Sequence, residues 1–334
     1  MLLHSILFLL GLGILYLGAD WLIEGASEVA KRFGIRPLVI GLTIVALGTS
    51  LPEFLLNFFA VIKGEDGLAI GNIIGSNIAN IALILGVSSA IMPLTVDKEV
   101  LQKEYPMMLA VTGLFYLLAL DGLISRIDGF ILVAGLVAFI AYIFRTSTRV
   151  EGTNSDASEG QNGDSEIEAE SGAGLKGLLN SPRLAPWIRI LLILGGMAAL
   201  TVGARLMVDS AIGIATILQI APILIGLTIV AIGTSLPELA ASLMCAIRKE
   251  SDMSVGNILG SNMLNILFVV GLVAMIRPMT VEPDSISMHI PVMILFSLML
   301  WPLARRKYFL SRFNGIFLLA GFVAYLVWLI YPNL

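Results

Sequence analysis

Charged side chains are scarce in this 334-residue chain, where Asp, Glu, Lys and Arg together make up 13% of the residues. A soluble domain has about a quarter of its residues charged. Hydrophobic residues make up 57%, and the mean hydropathy is +0.94. This balance excludes an ordinary soluble domain and indicates a polytopic membrane protein in a lipid bilayer. The net charge is only −4 and no basic cluster is present, so nothing points to nucleic acid.

Metal-binding and nucleophilic side chains are also few, with two histidines and one cysteine. The single Cys245 lies in an apolar run and excludes an intramolecular disulfide framework. His4 and His289 are isolated in the sequence, and neither belongs to a zinc motif or a nucleophile–base motif. We therefore predict a protein that is not an enzyme, that needs no cofactor and that shows no obligate protein partner.

Ten apolar runs are each long enough for about 20 helical residues, the length that crosses a bilayer. They lie at roughly 4–30, 37–62, 68–92, 104–121, 128–145, 187–215, 222–247, 253–276, 286–304 and 313–331. The predicted fold is all-α, with five transmembrane helices in each half. Residues 1–145 would form the first repeat, 146–186 a linker and 187–334 the second repeat. Between Glu151 and Glu170 the linker is acidic, and we interpret it as a disordered connection rather than a cation-sensing element.

A 46-residue stretch occurs twice, at 41–86 and 226–271, and 23 positions are identical at a constant offset of 185 residues. The agreement is concentrated in GTSLPE, GN, GSN and a further Asn, all within apolar runs. The polar groups of membrane-spanning segments were therefore duplicated, which predicts a site where the two halves meet.

An odd number of spans in each half makes the second copy enter the membrane from the opposite side, so the repeats are inverted. The basic residues agree with this arrangement, because sixteen fall on the side of loops 1, 3, 5, 7 and 9 and four on the other. The positive-inside rule then places both termini outside the cytoplasm and the central loop inside it, in the plasma or inner membrane. The sixteen are Lys31, Arg32, Arg36, Lys98, Lys103, Arg145, Arg149, Lys176, Arg183, Arg189, Arg248, Lys249, Arg305, Arg306, Lys307 and Arg312, and the four are Lys63, Arg126, Arg205 and Arg277.

The GTSLPE motifs predict interrupted helices with free oxygen atoms. Proline inside a helix removes a donor and frees the carbonyl four residues earlier, and lipid tolerates such a break only beside a protein-enclosed cavity. Glu53 and Glu238 follow the two prolines and bring one carboxylate from each repeat. The other candidate donors here are the carbonyls near Ala46, Gly48, Thr49, Ala231, Gly233 and Thr234 and the hydroxyls of Thr49, Ser50, Thr234 and Ser235.

The GN and GSN motifs add a polar stripe to the next helix of each repeat, spaced i, i+4, i+8. The glycines within them, Gly71 and Gly75 in the first copy, permit close approach of another backbone. Carboxylates, carbonyls, hydroxyls and amides without thiolate or imidazole suit hard cations such as Ca²⁺ and Na⁺. The stripes are Asn72, Ser76 and Asn80 in the first copy and Asn257, Ser261 and Asn265 in the second.

These motifs resemble the two α-repeats of the calcium/cation antiporter superfamily, and most closely the prokaryotic branch of the sodium/calcium exchanger family. The resemblance covers essentially the whole chain. It implies that Glu53 and Glu238 bind Ca²⁺ with the carbonyls of Thr49 and Thr234. It further implies that Ser50, Ser76, Ser235, Ser261 and the carbonyls of Ala46 and Ala231 line Na⁺ positions, and that Asn80 and Asn265 complete the ring.

One departure from the family pattern concerns the counter-ion. Some exchangers of this family have Asp in one repeat where this chain has Asn80 and Asn265 in both. The Ca²⁺ role is unaffected, but two repelling buried carboxylates are also a proton-binding site. The sequence therefore predicts Ca²⁺/Na⁺ exchange, with Ca²⁺/H⁺ exchange as the alternative and a part for K⁺ left open. A passive cation channel and an intramembrane hydrolase are the rivals from other classes.

Overall fold

The computed structural model describes residues 1–147, 185–219, 231–305 and 308–330, and these are almost entirely helical. The expected linker at 146–186 lies outside the described residues except at its two ends. The helices are α1 Leu2–Phe33, α2 Pro37–Lys63, α3 Asp66–Ile91, α4 Lys98–Gln102, α5 Glu104–Ala119, α6 Arg126–Ser147, α7 Ala185–Ile217, α8 Ala231–Gly233, α9 Leu236–Ile247, α10 Ser251–Ile276, α11 Ser285–Arg305 and α12 Arg312–Ile330. The strands are β1 Leu94–Thr95, β2 Leu123–Ile124, β3 Met279–Thr280 and β4 Phe309–Leu310.

Eight of the described helices are long and apolar enough to cross a membrane, which confirms an α-helical membrane protein. Two predicted spans fall short of that length here. The helix α5 has 16 residues. The run predicted at 222–247 is described only from Ala231 onward and is interrupted at Thr234 and Ser235, which leaves 12 residues in α9. A total of ten crossings therefore stays a prediction.

The helices α3 and α10, one from each repeat, form the centre of the molecule. In their most apolar windows 72% and 83% of the residues are buried, compared with 17% in α12. The outer helices α1, α6, α7 and α12 expose large apolar side chains such as Leu9, Phe130, Leu191 and Phe313. Apolar side chains on the outside and polar residues on the inside are the arrangement that a surrounding bilayer requires.

The two short sheets connect the repeats. Strand β1 pairs antiparallel with β4, and β2 pairs antiparallel with β3. Strand β1 corresponds to β3 at the repeat offset, and β2 corresponds to β4 within one residue. The two sheets are therefore equivalent, and each pairs a strand of the first repeat with a strand of the second.

Helices α1 and α7 pack along a line of glycines. Gly11 lies against Gly203, and Gly18 lies against Gly196, so each pair matches the other at the offset of 185. A β-carbon added at Gly18 would lie 2.7 Å from the main-chain nitrogen of Leu200. The two main chains can approach this closely only because the facing positions carry no side chain.

Asp20 and Glu24 of α1 form ion pairs with Arg248, which lies between α9 and α10. The Nη1 atom of Arg248 is 2.5 Å from Glu24 Oε2, and its Nη2 atom bonds Asp20. The three side chains thus form a local ion-pair cluster. It joins α1 to the helices that follow the second GTSLPE motif.

The glycine contact between α1 and α7 gives a stability prediction with a control on the same helix. We expect Gly18→Ala to lower the unfolding temperature in detergent, because the added β-carbon forces the main chains apart, at a cost of about 1–3 kcal/mol. At Gly13 no described atom lies within 4 Å of a built β-carbon. Gly13→Ala should therefore leave the temperature unchanged or raise it. Equal destabilisation by both variants would contradict the packing described here.

Candidate cation-binding site

The central contact between the repeats is the crossing of α2 and α10 through glycines. A β-carbon at Gly260 would lie 2.6 Å from the carbonyl oxygen of Leu42, and one at Gly41 would lie 3.0 Å from the nitrogen of Asn257. The second-copy glycines, Gly256 and Gly260, thus show the close backbone approach that we predicted for Gly71 and Gly75 in the first copy. It brings the GTSLPE motif of the first repeat against the polar stripe of the second.

The two GTSLPE motifs have different backbone structures. Ser235 follows the short helix α8 and precedes α9, and its nitrogen donates to Ile232 O in a turn, so the helix is interrupted there as predicted. In the first copy the helix continues from Ala46 to Lys63 with Pro52 inside it, so the interruption predicted at Pro52 is wrong. A proline removes a single donor, and the remaining helical hydrogen bonds keep the geometry. The irregularity lies upstream, in a π-helical stretch at Gly41–Val45.

Glu53 and Glu238 are both completely buried, and each is the only carboxylate of its motif. Both Glu53 oxygens and Glu238 Oε2 have no hydrogen-bond partner among the described residues. The remaining oxygen, Glu238 Oε1, lies 3.3 Å from the hydroxyl of Ser50 in the other repeat. Glu238 also occupies the first turn of α9, where the amide groups of a helix start favour negative charge.

Each GTSLPE threonine contacts the asparagine of the other repeat's GN motif. Thr49 Oγ1 is 3.4 Å from Asn257 Oδ1, and Asn72 Nδ2 donates to Thr234 Oγ1 at 3.1 Å. The Thr49 hydroxyl is also 3.5 Å from Ser261 Oγ and 3.2 Å from the carbonyl oxygen of Ala46. These crosswise contacts confirm that the duplicated polar groups meet at the junction of the halves.

Sequence reasoning missed two residues in this network, Asn57 and Ser242. Asn57 Nδ2 donates to Asn72 Oδ1 at 2.9 Å, and Asn257 Nδ2 donates to Ser242 Oγ at 2.8 Å. They are equivalent positions of the repeat, but they differ in type, so identity between the copies did not reveal them. Their signal was the spacing, since each lies one turn after the motif glutamate on the same helix face.

Several buried oxygens of the two glutamates and of the other predicted ligands lack partners among the described residues. They belong to side chains predicted as ligands, and an uncompensated buried polar atom costs free energy. The atoms are Ser76 Oγ, Ser235 Oγ, Asn80 Oδ1 and Asn265 Oδ1, with both Glu53 oxygens and Glu238 Oε2. Ala231 begins α8, two residues before the second GTSLPE motif.

Asn80 and Asn265 each open a π-helical stretch, at Asn80–Ile84 and Asn265–Val270. The first stretch packs against α9, which carries Glu238, and the second packs against α2, which carries Glu53. Isolated π-helical turns inside α-helices are frequent at functional sites. The turns therefore place both asparagines beside the helices of the buried carboxylates.

The first repeat borders a cavity of about 500 Å³. Gly71 and Gly75, unlike their counterparts on α10, have no described atom within 4 Å of a built β-carbon, and they line this cavity. The counterpart of the α2 segment that packs on α10 falls within 220–230, outside the described residues. Asn72, Ser76, Glu282 and His289 also border the cavity.

The sequence suggested that His289 is isolated, but the structure shows that it has aromatic neighbours. Its Nδ1 atom lies 3.2 Å from the hydroxyl of Tyr325, and its ring packs edge-on against Trp328. The histidine is therefore fixed by aromatic neighbours of α12, at the side of the cavity.

The charges of the site are unbalanced within the part of the chain that the structure describes. Glu53 and Glu238 interact electrostatically, and neither forms an ion pair with Lys, Arg or His there. Two buried like charges are costly in low dielectric, and a cation removes both the desolvation and the repulsion. The surrounding hydroxyl, carbonyl and amide oxygens are the ligands that hard cations prefer.

The comparisons with known proteins cover almost all of the chain. A family model described as sodium/calcium exchanger protein matches residues 3–145 and 188–331. Inner membrane protein YrbG of Escherichia coli is 37% identical over 98% of this chain and 97% of its own. Sodium/calcium exchanger MaX1 of Methanosarcina acetivorans is 33% identical over 98% of this chain and 99% of its own. The solved structure of the sodium–calcium exchanger NCX_Mj soaked with zero Na⁺ and Ca²⁺ is similar with a TM-score of 0.78 at 34% identity, covering 98% of this chain and 99% of that one.

The two unpaired negative charges in the site predict that replacing one of them changes thermal stability in opposite directions without and with Ca²⁺. We expect Glu53→Gln to raise the unfolding temperature in detergent without Ca²⁺, because it removes one of two repelling buried charges. The same variant should lose the further rise that Ca²⁺ gives the wild type, since ligand binding to the folded state stabilises it.

The control for this measurement is Glu104→Gln. Glu104 is also a buried carboxylate, but its charged neighbours are Arg36, Lys103 and Glu99 rather than the glutamate pair. Its variant should keep the whole Ca²⁺-dependent rise. A Glu53→Gln protein that Ca²⁺ stabilises as strongly as the wild type would refute the site.

Proposed function

Because this chain belongs to the sodium/calcium exchanger family of membrane proteins, we propose that it is a secondary active antiporter that exchanges Ca²⁺ for Na⁺ by alternating access. The observation that carries the proposal is the pair of fully buried carboxylates, Glu53 and Glu238, which the two repeats bring together without a basic partner among the described residues. A transported cation is the partner that such a pair lacks.

In this proposal Glu53 and Glu238 are the charged Ca²⁺ ligands, together with the carbonyl oxygens of Thr49 and Thr234. A divalent cation neutralises the pair by itself, whereas a monovalent counter-ion must bind in two or more copies. The unpartnered hydroxyl of Ser76 and the crosswise contact of Thr49 with Ser261 support further oxygen positions for Na⁺. The proposed Na⁺ positions comprise Ser50, Ser76, Ser235, Ser261 and the carbonyls of Ala46 and Ala231, with Asn80 and Asn265 completing the ring.

Coupling follows from the cost of the empty site. When no cation is bound, the change between inward-facing and outward-facing states must enclose two charged carboxylates in a low-dielectric environment, which costs free energy. Bound Ca²⁺ or Na⁺ neutralises the charge and permits the change between inward-facing and outward-facing states. Because one site binds either ion set, each transition carries one of the two substrates.

The same pair of carboxylates supports a second candidate, Ca²⁺/H⁺ exchange. The observation that favours it is the presence of Asn at both 80 and 265, so that the site has no third carboxylate for additional monovalent ions. A passive cation channel is less compatible with the site, since channels use an open path and rings of equivalent groups.

We propose further that the chain crosses the membrane ten times as two inverted five-helix repeats, with both termini outside the cytoplasm. The contacts between loops and the ends of spans support this topology, because they join only groups predicted on the same side. On the predicted cytoplasmic side Arg36 bonds Asp97 and Glu99, Arg189 lies near Glu28 in the last turns of α1, and β1 pairs with β4. On the other side Arg277 lies near Asp66, Arg126 bonds Ile276 O, and β2 pairs with β3.

Counter-ion dependence is tested with the purified chain in proteoliposomes. We expect ⁴⁵Ca²⁺ uptake driven by an outward Na⁺ gradient, and we expect Glu53→Gln to reduce it to background while Glu104→Gln retains it. Uptake driven only by an imposed pH gradient would instead establish Ca²⁺/H⁺ exchange. Ca²⁺ flux without any counter-gradient would refute an antiporter.

Topology is tested with single cysteines and a membrane-impermeant thiol reagent in intact cells. The native Cys245 is fully buried and serves as a silent background. We expect Lys63→Cys to react from outside, and Lys98→Cys to react only after the membrane is permeabilised. The opposite labelling pattern would overturn the proposed orientation.

A further inference from the structure

Asn80 and Asn265 are equivalent in the repeat but have different surroundings. Asn80 Nδ2 donates to Asn262 Oδ1 of the other repeat at 2.9 Å. Both polar atoms of the Asn265 side chain are buried and have no partner among the described residues. The two halves of the site are thus not equivalent at this position.

The orientation of the Asn262 amide is determined by its other neighbours. Its Nδ2 atom lies 3.4 Å from the main-chain oxygen of Asn77 and 3.8 Å from the sulfur of Met108. A carbonyl oxygen and a thioether sulfur can only accept hydrogen bonds, so the NH₂ group of Asn262 must face them. Its oxygen is therefore left to face Asn80.

The orientation of Asn80 follows from that of Asn262. Because Asn262 presents an oxygen, Asn80 must present its NH₂ group, and its own oxygen turns the other way. That oxygen is buried and unpartnered in the described structure, at the start of the π-helical turn that packs against α9 and hence against the helix of Glu238. The oxygen and nitrogen of an asparagine side chain are usually hard to tell apart in a structure. Here the main-chain oxygen of Asn77 can only accept a hydrogen bond, so the orientation of the Asn262 amide, and with it that of Asn80, is determined.

The second copy lacks this relay. The counterpart of Asn262 is Asn77, and its Nδ2 atom donates to Ile73 O within its own helix at 2.8 Å. Asn77 therefore makes no contact that would orient Asn265. The asymmetry lies in the fold, because the sequence has the same GSN and Asn in both copies.

We propose that Asn262 is a positioning residue that fixes Asn80 Oδ1 as a permanent cation ligand, whereas the untethered Asn265 must rotate its amide to offer an oxygen. The inference rests on the proposed function, since it assigns Asn80 to the transported cation. It goes beyond that function in two ways. It assigns a positioning role to Asn262, which is not itself a proposed ligand, and it makes the contributions of the two repeats to cation binding different.

The first test is Asn262→Leu, which removes the relay with a side chain of similar size. We expect the KM for Ca²⁺ in Na⁺-driven exchange to rise about threefold to tenfold with little change in kcat, because one orienting hydrogen bond is lost. Asn314→Leu is the matched control. Asn314 donates to Leu303 O on the periphery, at 3.0 Å, and its loss should leave the KM unchanged.

A double substitution separates positioning from general packing. In an Asn80→Asp background residue 80 offers a carboxylate oxygen in either orientation, so it needs no guidance from Asn262. We expect Asn262→Leu to raise the KM in the wild-type background and to leave it unchanged or lower it in the Asn80→Asp background. A rise of the same size in both backgrounds would show a merely structural role and overturn the proposal.

A backup variant and a second measurement ensure that each result supports or contradicts the proposal. If Asn262→Leu does not fold, Asn262→Ser is used, since its short side chain also fails to reach Asn80. Ca²⁺-dependent stabilisation in detergent is measured beside transport. A wild type that binds Ca²⁺ without exchanging it refutes the proposed function alone, and the orientation of Asn80 is then tested by the affinity. An unchanged Ca²⁺ affinity in a folded Asn262 variant refutes the inference alone.

Discussion

The burial of two carboxylates without a basic partner among the described residues is the constraint on which the rest of the structure depends. Glu53 and Glu238 are both completely buried, and three of their four carboxylate oxygens have no donor in the described chain. The free-energy cost of such a pair falls when a cation supplies the missing charge. Under the proposed exchange function, the same cost links the ion to the conformational change, because it differs between the occupied and the empty site.

The remaining architecture holds this pair in place. Close backbone contact at Gly41 and Gly260 brings the repeats together, and crosswise hydrogen bonds from Thr49 and Asn72 join each motif to the other half. The outer pair α1 and α7 packs through glycines and meets the central helices through Arg248. A rigid centre with a separately packed outer helix pair is compatible with rearrangement around a fixed site.

The two sequence repeats form a site that is symmetric in sequence but unequal in structure. The helix is interrupted before Glu238 but continues past Glu53. The difference between Asn80 and Asn265 is a second inequality, at the scale of one amide group. The proposed alternating access would require such inequality, because an inverted-repeat transporter opens to one side of the membrane at a time.

The sequence by itself determined the fold class, the family and the residue types of the site. Long apolar runs identify membrane helices because lipid leaves few alternatives for the backbone, and the duplicated GTSLPE, GN and GSN motifs identify Glu53 and Glu238 because polar groups in such runs are costly. The continuous helix at Pro52, the part played by Asn57 and Ser242, and the relay through Asn262 were decided only by tertiary structure. Spacing along one helix shows which side chains share a face, but hydrogen-bond partners on another helix depend on how the helices cross. Asn80 and Asn265 stand in matching motifs, and only the packed structure decides that one of them is held by a neighbour and the other is not.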